Sequence, residues 1–565
     1  MREFDLFQDY ENSRLETVDQ FMENNRENTY AVDDLGNHNV EGIPVALKRD
    51  SEGKLQATFI PDTHLLAIGA TRSGKTTGFV LPTIELMLRK KNKPNLVISD
   101  PKGELYSATA KKFEKQGYRI IYLDFTDYHH SDCWNPLTKI YRRYQEFLTV
   151  EDEISVVRTI KGNRHSFRGR LYDDMAELDQ EIAETKDGIF SEVERSISTL
   201  VASLISAESK TDKYWELAVR DVFAAILYGM LEDSAETVVE GRITEETFSF
   251  STALRIYDSF GDCHAKYDGG YFSHRDSESR AFRLAVNTVL LEAEKTRSGI
   301  IGVCASKLSK LRDTDIRYIT CTNSFEAEEI VYGDQPTVIF LSYKDEEPLH
   351  YEIITMFLTS FYNDLVKVTR NKRKPLPRPF YFLLDEFGNL PQFNAFDKTI
   401  SACGGRNIWF LLILQSYAQL YNVYGKETAE IIKDNLNSHL FFGTNNSLTK
   451  QEFSDECGKK TVLSPVSAMN GGGEYIDNFV KETIPVVPVS KLNLISPGEC
   501  YLTRMRANPC LSYMERSYQC PEFSGEASDP RDRIPPIRFS DSKYKYKIPE
   551  YESKRSFHSF SPFFD

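Results

Sequence analysis

Between residues 46 and 140 the chain alternates short apolar runs with stretches whose apolar residues recur every three or four positions. Leu65, Leu66, Ala67 and Ile68 form one run, 95–99 a second and 119–123 a third. The segment 79–88 and a stretch ending at Lys115 lie between them with helical spacing. Strands alternating with helices in this way predict a parallel sheet covered on both faces. The pattern changes at about residue 141. From there to 312 it reads as mostly helix, with i, i+3, i+4 apolar spacing over 192–207, 214–231 and 278–293. Strand patterns then return at Thr337–Ser342, 381–384, Ile408–Leu414 and 440–443, with a helix over 349–367. The simplest architecture is one α/β domain divided by a helical insertion. Residues 1–45 are polar, acidic and weakly periodic, and read as a loosely held arm. Residues 524–565, with Pro535-Pro536 and a KYKYK run, read as an extended tail.

Composition narrows the class. A chain of 565 residues is long enough for two or more domains, and 41% hydrophobic with 27% charged residues suits a soluble globular protein. No apolar run approaches the ~20 residues that cross a bilayer. The start, MREFDLFQDYENSRLE, lacks the apolar core of a signal peptide, so a cytoplasmic location is expected. Nine scattered cysteines without a C-x-x-C pair read as reduced, mostly buried thiols. The net charge of −15 excludes a broad basic coat for nucleic acid. Any DNA contact must be local, and a protein substrate fits the charge equally well.

The chemistry starts at Gly69-Ala70-Thr71-Arg72-Ser73-Gly74-Lys75-Thr76, which fits G-x-x-x-x-G-K-[ST] at every fixed position. A Gly/Ser-rich turn could carry a lysine by chance, but the strand before and the helix after favour a phosphate site. Backbone N–H groups close around phosphate oxygens, Lys75 reaches the same oxygens, and the Thr76 hydroxyl suits Mg²⁺. Gly69, Ala70, Thr71, Arg72, Ser73, Gly74, Lys75, Thr76 and Thr77 are therefore the candidate nucleotide contacts, with ATP and Mg²⁺ as expected cofactors. The strand 381–384 ends in Asp385-Glu386. Asp385 suits the Mg²⁺ shell, and Glu386 suits orienting and deprotonating an attacking water. A helix cap would account for such a pair alone, but not for its place beside a complete phosphate loop. Gln415, at the end of the neighbouring strand, is a candidate contact to the terminal phosphate or the water.

Asp100-Pro101 reads as a helix N-cap followed by Pro at the first helical position, which leaves Lys102 and Gly103 without a structural reason. Five Arg or Lys residues and no acid lie between Arg158 and Arg170, and a strongly acidic stretch follows over 173–194. A solvated helical hairpin with segregated charge explains both; a substrate contact is the alternative. His274-Arg275-Asp276 lacks the spacing of a kinase catalytic loop, and the Asn445 sequon is irrelevant in a cytoplasmic chain.

Several motifs in order carry a resemblance. They are GATRSGKT at 69–76, SDPKGELY at 99–106, SDCWNPL at 131–137, DKYWELA at 212–218, FLLDEFGNLP at 382–391 and LQSYAQLYNVYG at 414–425. Over about residues 45–520 the chain resembles the coupling-protein ATPases of type IV secretion and bacterial conjugation, the TraG/TraD type, which are FtsK/HerA-related motors. The resemblance implies an α/β fold: a RecA-like P-loop nucleotide-binding domain interrupted by an all-α domain. On that layout 1–45 is the arm, 46–140 the first part of the nucleotide-binding domain, 141–312 the insertion, 313–523 the second part and 524–565 the tail. It also implies a hexameric homo-oligomer that uses ATP to pass a relaxase–DNA complex, or effector proteins, to a type IV secretion channel. The all-α domain would face that substrate, which adds weight to a contact over 158–170.

Two departures matter. The family usually begins with transmembrane helices, so this chain would borrow a separate membrane-anchor protein and be recruited to the inner face of the bacterial cell membrane, or be a truncated form. The family also places a basic finger, acting on a neighbouring subunit, eleven residues before the Gln. That position here is Gly404, and Arg406 is the candidate replacement. Two alternatives to the motor follow: an ATP-switched substrate receptor that threads nothing, and a HerA-like DNA-processing helicase, against which DPKGEL and WNPL argue.

Overall fold

The computed structural model describes residues 13–159, 162–205, 213–235, 243–259, 270–273, 275–290, 293–344, 350–469 and 475–537. The KYKYK run lies outside them. The described residues fall into two compact units, one from Met1–Thr126 with Glu326–Arg533, the other mainly from Asp127–Phe325.

The first unit is built on a ten-stranded sheet. From one edge, Arg119–Asp124, Thr337–Ser342, Asn95–Asp100, Phe380–Leu384, Ile408–Leu414, Leu65–Ile68 and Ser438–Phe441 run parallel. Glu499–Arg504 then pairs antiparallel, Cys510–Tyr513 antiparallel to it, and Glu16–Thr17 parallel to that last strand. The central strands are apolar throughout because helices cover both faces, and Leu65–Ile68 and Phe380–Leu384 are buried at every position. After Arg119–Asp124 the chain forms the second unit and returns as Thr337–Ser342, one strand inward from where it left. The fold is thus an α/β nucleotide-binding-type sheet with a helical insertion.

Residues 13–45 are not a loose arm. Thr17 and Gln20 form a reciprocal cap on helix Val18–Asn24, and Phe21, Val32, Leu35 and Val40 are buried in the main core. Single apolar anchors, spaced too irregularly to show a period, dock this segment.

The insertion holds helices Thr138–Thr149, Met175–Leu204, Lys213–Ala235, Phe250–Asp258, Arg280–Val286 and Glu294–Leu308. The expected helix over 278–293 is only Arg280–Val286, and Glu294–Leu308 went unforeseen because its apolar residues do not gather on one side. The expected helical hairpin starting at 158 is also corrected. Ser155–Thr159, Gly162–Phe167 and Arg170–Tyr172 form a three-stranded antiparallel sheet. Arg168 (φ 49°) and Gly169 (φ 82°) make a two-residue link with both φ positive, the geometry that matches strand twist in a tight hairpin. Phe167 and Tyr172 pack with Leu178, Ile182 and Ile189 of the long helix. Three arginines of the basic run are paired within the unit: Arg164 with Asp173, Arg168 with Glu153 at 2.8 Å, and Arg170 with Glu177 and Glu181 at 2.6 and 2.9 Å. Exposed pairs of this kind contribute well under about 1 kcal/mol each.

His64, just before the phosphate-loop strand, is buried and must be neutral, because its Nδ1 accepts the Phe410 N–H at 3.1 Å. Burial lowers its pKa to about 4. The unfolded chain takes up this proton near pH 6.5 and the folded chain does not until about pH 4, so stability present above pH 6.5 is lost as pH falls between them. The loss is on the order of 3 kcal/mol. The urea-unfolding free energy of the wild type should fall by this amount relative to that of His64→Gln between pH 7 and 4, a difference from which the opposing contributions of the buried carboxyls common to both proteins drop out.

Candidate nucleotide site

Strand Leu65–Ile68 aims the glycine loop at the carboxyl edge of the sheet. The Gly69 N–H donates to Leu414 O at 2.9 Å and the Ala70 N–H to Gly443 O at 2.7 Å, tying the loop base to its flanking strands. Arg72 (φ 66°) and Gly74 (φ 94°) turn the backbone through left-handed conformations. A π-helical turn, Thr76–Val80, follows and runs into helix Leu81–Arg89. A Cβ on Gly69 would lie 2.4 Å from Ser73 Oγ and 2.7 Å from Lys75 Cγ, so only glycine leaves room for the lysine to fold back. Thr77 Oγ1 donates weakly to Gly74 O at 3.5 Å.

Lys75 is 5% exposed. Its Nζ donates to Gly69 O at 2.5 Å and stands 3.7 Å from Glu386 Oε1. Burial pulls its pKa down, against the opposing pull of Glu386 and Asp385; the nearby, exposed Lys102 pushes it the same way as burial.

Asp385 and Glu386 follow strand Phe380–Leu384. Ser99 Oγ donates to Asp385 O at 2.8 Å, and the Glu386 N–H donates to Asp385 Oδ1 at 3.0 Å. Glu386 sits at φ 49°, a left-handed conformation costing on the order of 1 kcal/mol for a residue with a Cβ. That turn brings its Oε2 to 3.0 Å from Gln415 Nε2, which donates to it. Burial, with the Glu386 charge next, raises the Asp385 pKa to about 6. Burial raises Asp100, on the adjacent strand, to about 7.

Asp100 is the last residue of its strand and not the N-cap of the next helix. The helix is Glu104–Lys115, with Gly103 (φ 68°) before it. Asp100 still holds that helix start, accepting the Leu105 and Tyr106 N–H groups at 3.2 and 2.8 Å. Gly103 is needed for its positive φ.

The structure thus brings together Lys75, Asp385, Glu386 and Gln415, with the loop residues 69–77. It does not bring Arg406 to them. Arg406 precedes strand Ile408–Leu414, so it sits at the amino edge of the sheet, where its Nη1 donates to Ala402 O. The strand separates it from Gln415 by about 20 Å. At Gly404, where a basic finger was expected, a Cβ would lie 3.1 Å from Trp409 Cζ3, so a side chain there requires that ring to move. Gln419 and Asn389 drew no individual attention in the sequence. Gln419 Oε1 accepts the Gln415 N–H at 2.8 Å and its Nε2 donates to Asn389 Oδ1 at 3.4 Å, fixing the strand end. Gln419 is the third residue of helix Tyr417–Tyr424, where a Glu or Gln side chain reaches back to backbone N–H groups at the helix start, and that was the available signal.

The cradle fits a phosphate chain. Ser73 Oγ is buried without a hydrogen-bond partner, and Lys75 has no carboxylate closer than Glu386 at 3.7 Å. Two acids buried with raised pKa at the same edge, Asp385 and Asp100, are the donors a divalent cation takes.

Residues 16–473 match the family described as Type IV secretory system Conjugative DNA transfer. The chain belongs to this family. Among relatives, it is 22% identical to Protein VirD4 of Rhizobium rhizogenes over 404 residues, 70% of this chain and 50% of that one. It is 20% identical to the conjugal transfer protein TraG of Escherichia coli over 478 residues, 81% of this chain and 65% of that one. The chain thus spans about half the length of the VirD4 relatives it matches. Its fold is similar to that of the bacterial conjugative coupling protein TrwBdeltaN70, with a TM-score of 0.60 at 13% identity over 90% of this chain and 94% of that one. Plasmid coupling protein TrwB in complex with ADP and Mg2+ gives a TM-score of 0.57 at 14% identity, covering 92% and 97%. Among the described residues, no helix is long and apolar enough to cross a membrane.

Gly69→Ala should weaken binding of a fluorescent ATP analogue at least tenfold while leaving the far-ultraviolet dichroism unchanged, because the added methyl displaces Lys75 and not the core.

Proposed function

We propose that this member of the conjugative DNA transfer family is an ATP-hydrolysing coupling protein. The observation that carries the reading is the cluster at one strand edge: Lys75 in a glycine cradle, Glu386 beside it, and Gln415 holding Glu386 at 3.0 Å. Bound Mg²⁺–ATP would supply the reactive phosphoryl group, with Thr76 and Asp385 as the cation's ligands and Asp100 behind them. Lys75 neutralises phosphate charge. Glu386 orients a water and accepts its proton, and Gln415 fixes the Glu386 carboxylate while sensing the terminal phosphate. Burial of these groups strengthens each interaction because little water screens them.

The matched TrwB structures with a non-hydrolysable ATP analogue and with ADP and Mg2+ support the cofactor reading. VirD4 and TraG support the wider role. In it a homo-oligomer, hexameric by analogy, works at the cytoplasmic face of the bacterial membrane beside an anchor protein. It delivers a relaxase–DNA complex, or secreted effectors, to a type IV channel. One observation favours a second reading, an ATP-switched receptor that threads nothing: Trp409 fills the space at Gly404, so the expected finger is absent there.

Steady-state hydrolysis by the oligomeric protein at low salt separates the two. The motor reading expects ATP turnover stimulated by DNA, falling at least a hundredfold in Lys75→Ala and in Glu386→Gln. Turnover indifferent to DNA rules out the motor and leaves the receptor. Undiminished turnover in Glu386→Gln removes that residue from the chemistry.

A further inference from the structure

The loop has two flanks, and only one carries the groups described so far. Glu386 and Gln415 follow strands on one side of Leu65–Ile68, in the order Ile408–Leu414 then Phe380–Leu384. On the other side the order is Ser438–Phe441, Glu499–Arg504 and Cys510–Tyr513. Two successive antiparallel pairings make Cys510–Tyr513 run in the same sense as the phosphate-loop strand, so the residues after Tyr513 emerge at the same carboxyl edge.

Those residues turn back over the loop. The Met514 N–H donates to Gly498 O at 2.7 Å and the Glu515 N–H to Leu47 O at 2.9 Å, which pins the backbone just ahead of Arg516. The turn Ser517–Gln519 lies against the first helical turn, Thr76–Val80. The Arg516 guanidinium covers Gly74: its Nη2 lies 3.0 Å and its Cζ 3.2 Å from where a Cβ on that glycine would stand. Gly74 is held to glycine by its φ of 94°, and the Arg516 tip rests on its open side. Among the described residues the Arg516 guanidinium has no ion-pair partner, and its one side-chain hydrogen bond runs from Nη1 to the Tyr518 hydroxyl at 3.4 Å. Tyr518, in the turn that lies against Thr76–Val80, is 67% exposed.

We propose that this C-terminal segment completes the nucleotide site on the flank away from Glu386, with Arg516 contacting the phosphate chain and Tyr518 stacking on the base. The inference rests on the nucleotide reading above. A triphosphate whose reacting end faces Glu386 and Gln415 extends its ribose and base toward the opposite flank, where Arg516 and Tyr518 wait. An unpaired guanidinium at the loop mouth gains charge-assisted hydrogen bonds that water cannot match. A flat phenol offers a π-face to any base, and its exposed surface is then covered. Arg516 thereby supplies, from the same chain, a cation at the site that neither Gly404 nor Arg406 provides within it.

Calorimetric titration of the full chain with ATP and with inorganic tripolyphosphate tests both roles. Tyr518→Ala should weaken ATP about tenfold and leave tripolyphosphate unchanged, and Tyr518→Phe should bind both like the wild type. Arg516→Ala should weaken both ligands about tenfold, with Arg516→Lys partly restoring each. Because Tyr518 is exposed, melting temperatures without ligand should match the wild type. Unchanged ATP affinity in Tyr518→Ala, or equal loss of both ligands, overturns the base contact, and unchanged affinities in Arg516→Ala overturn the phosphate contact. If the wild type binds no ATP, or Lys75→Ala binds it equally well, the nucleotide reading itself falls and this inference with it.

Discussion

Parallel pairing sets Ile68 opposite Leu414, Leu412 opposite Leu384, and Leu384 opposite Ser99, and everything at the site hangs on that register. Side chains alternate faces along a strand, so a slip of one residue would exchange the buried and facing sets and move each strand end by about 3.3 Å. With the register held, Asp385 lies level with Asp100, and Gly69 lies level with Gln415 two residues further on, so all four reach one edge of the sheet although 346 positions separate Gly69 from Gln415 along the chain. Apolar burial on both faces enforces the alignment: every residue of Leu65–Ile68, Asn95–Asp100 and Phe380–Leu384 is buried.

That enclosure also sets the electrostatics. Water excluded from the edge raises Asp385 to about 6 and Asp100 to about 7, and lowers Lys75. Each shift records a group held in a state it would not choose in solvent, and opposite charges offset the cost only in part: Lys75 stands 3.7 Å from Glu386 and spends its hydrogen bond on Gly69 O. The buried Ser73 Oγ, which has no hydrogen-bond partner, and the Lys75 ammonium beside it are groups of the kind that pair with phosphate oxygens. The left-handed Glu386 is a further local cost, balanced by its contact with Gln415.

In the second unit the same physics gives a different result. The arginines between 158 and 170 carry a strong sequence signal for charge, yet Arg164, Arg168 and Arg170 meet carboxylates of their own unit. Charge segregated along the chain is here charge complementary in space: the tight Arg168-Gly169 turn folds the strands so that Arg168 meets Glu153 ahead of them, Arg164 meets Asp173 after them, and Arg170 meets Glu177 and Glu181 on the long helix.

The sequence by itself determined the phosphate loop, the strand-borne Asp385-Glu386 pair, the candidate Gln415 and the division of an α/β sheet by an insertion. Each of these is written in a contiguous run of residues whose local pattern carries its own physics. It misread 13–45 as loose, 155–172 as helix and Asp100 as a cap, since sparse apolar anchors, a two-residue turn and a left-handed Gly103 have little periodicity to detect. Only the tertiary structure decided that Gln415 holds Glu386, that Trp409 fills the space at Gly404, that Arg406 sits at the far edge of the sheet, and that Arg516 lies over Gly74. Those contacts join residues from separate strands, and the order and direction in which strands pair is settled by burying the whole sheet, not by any one segment.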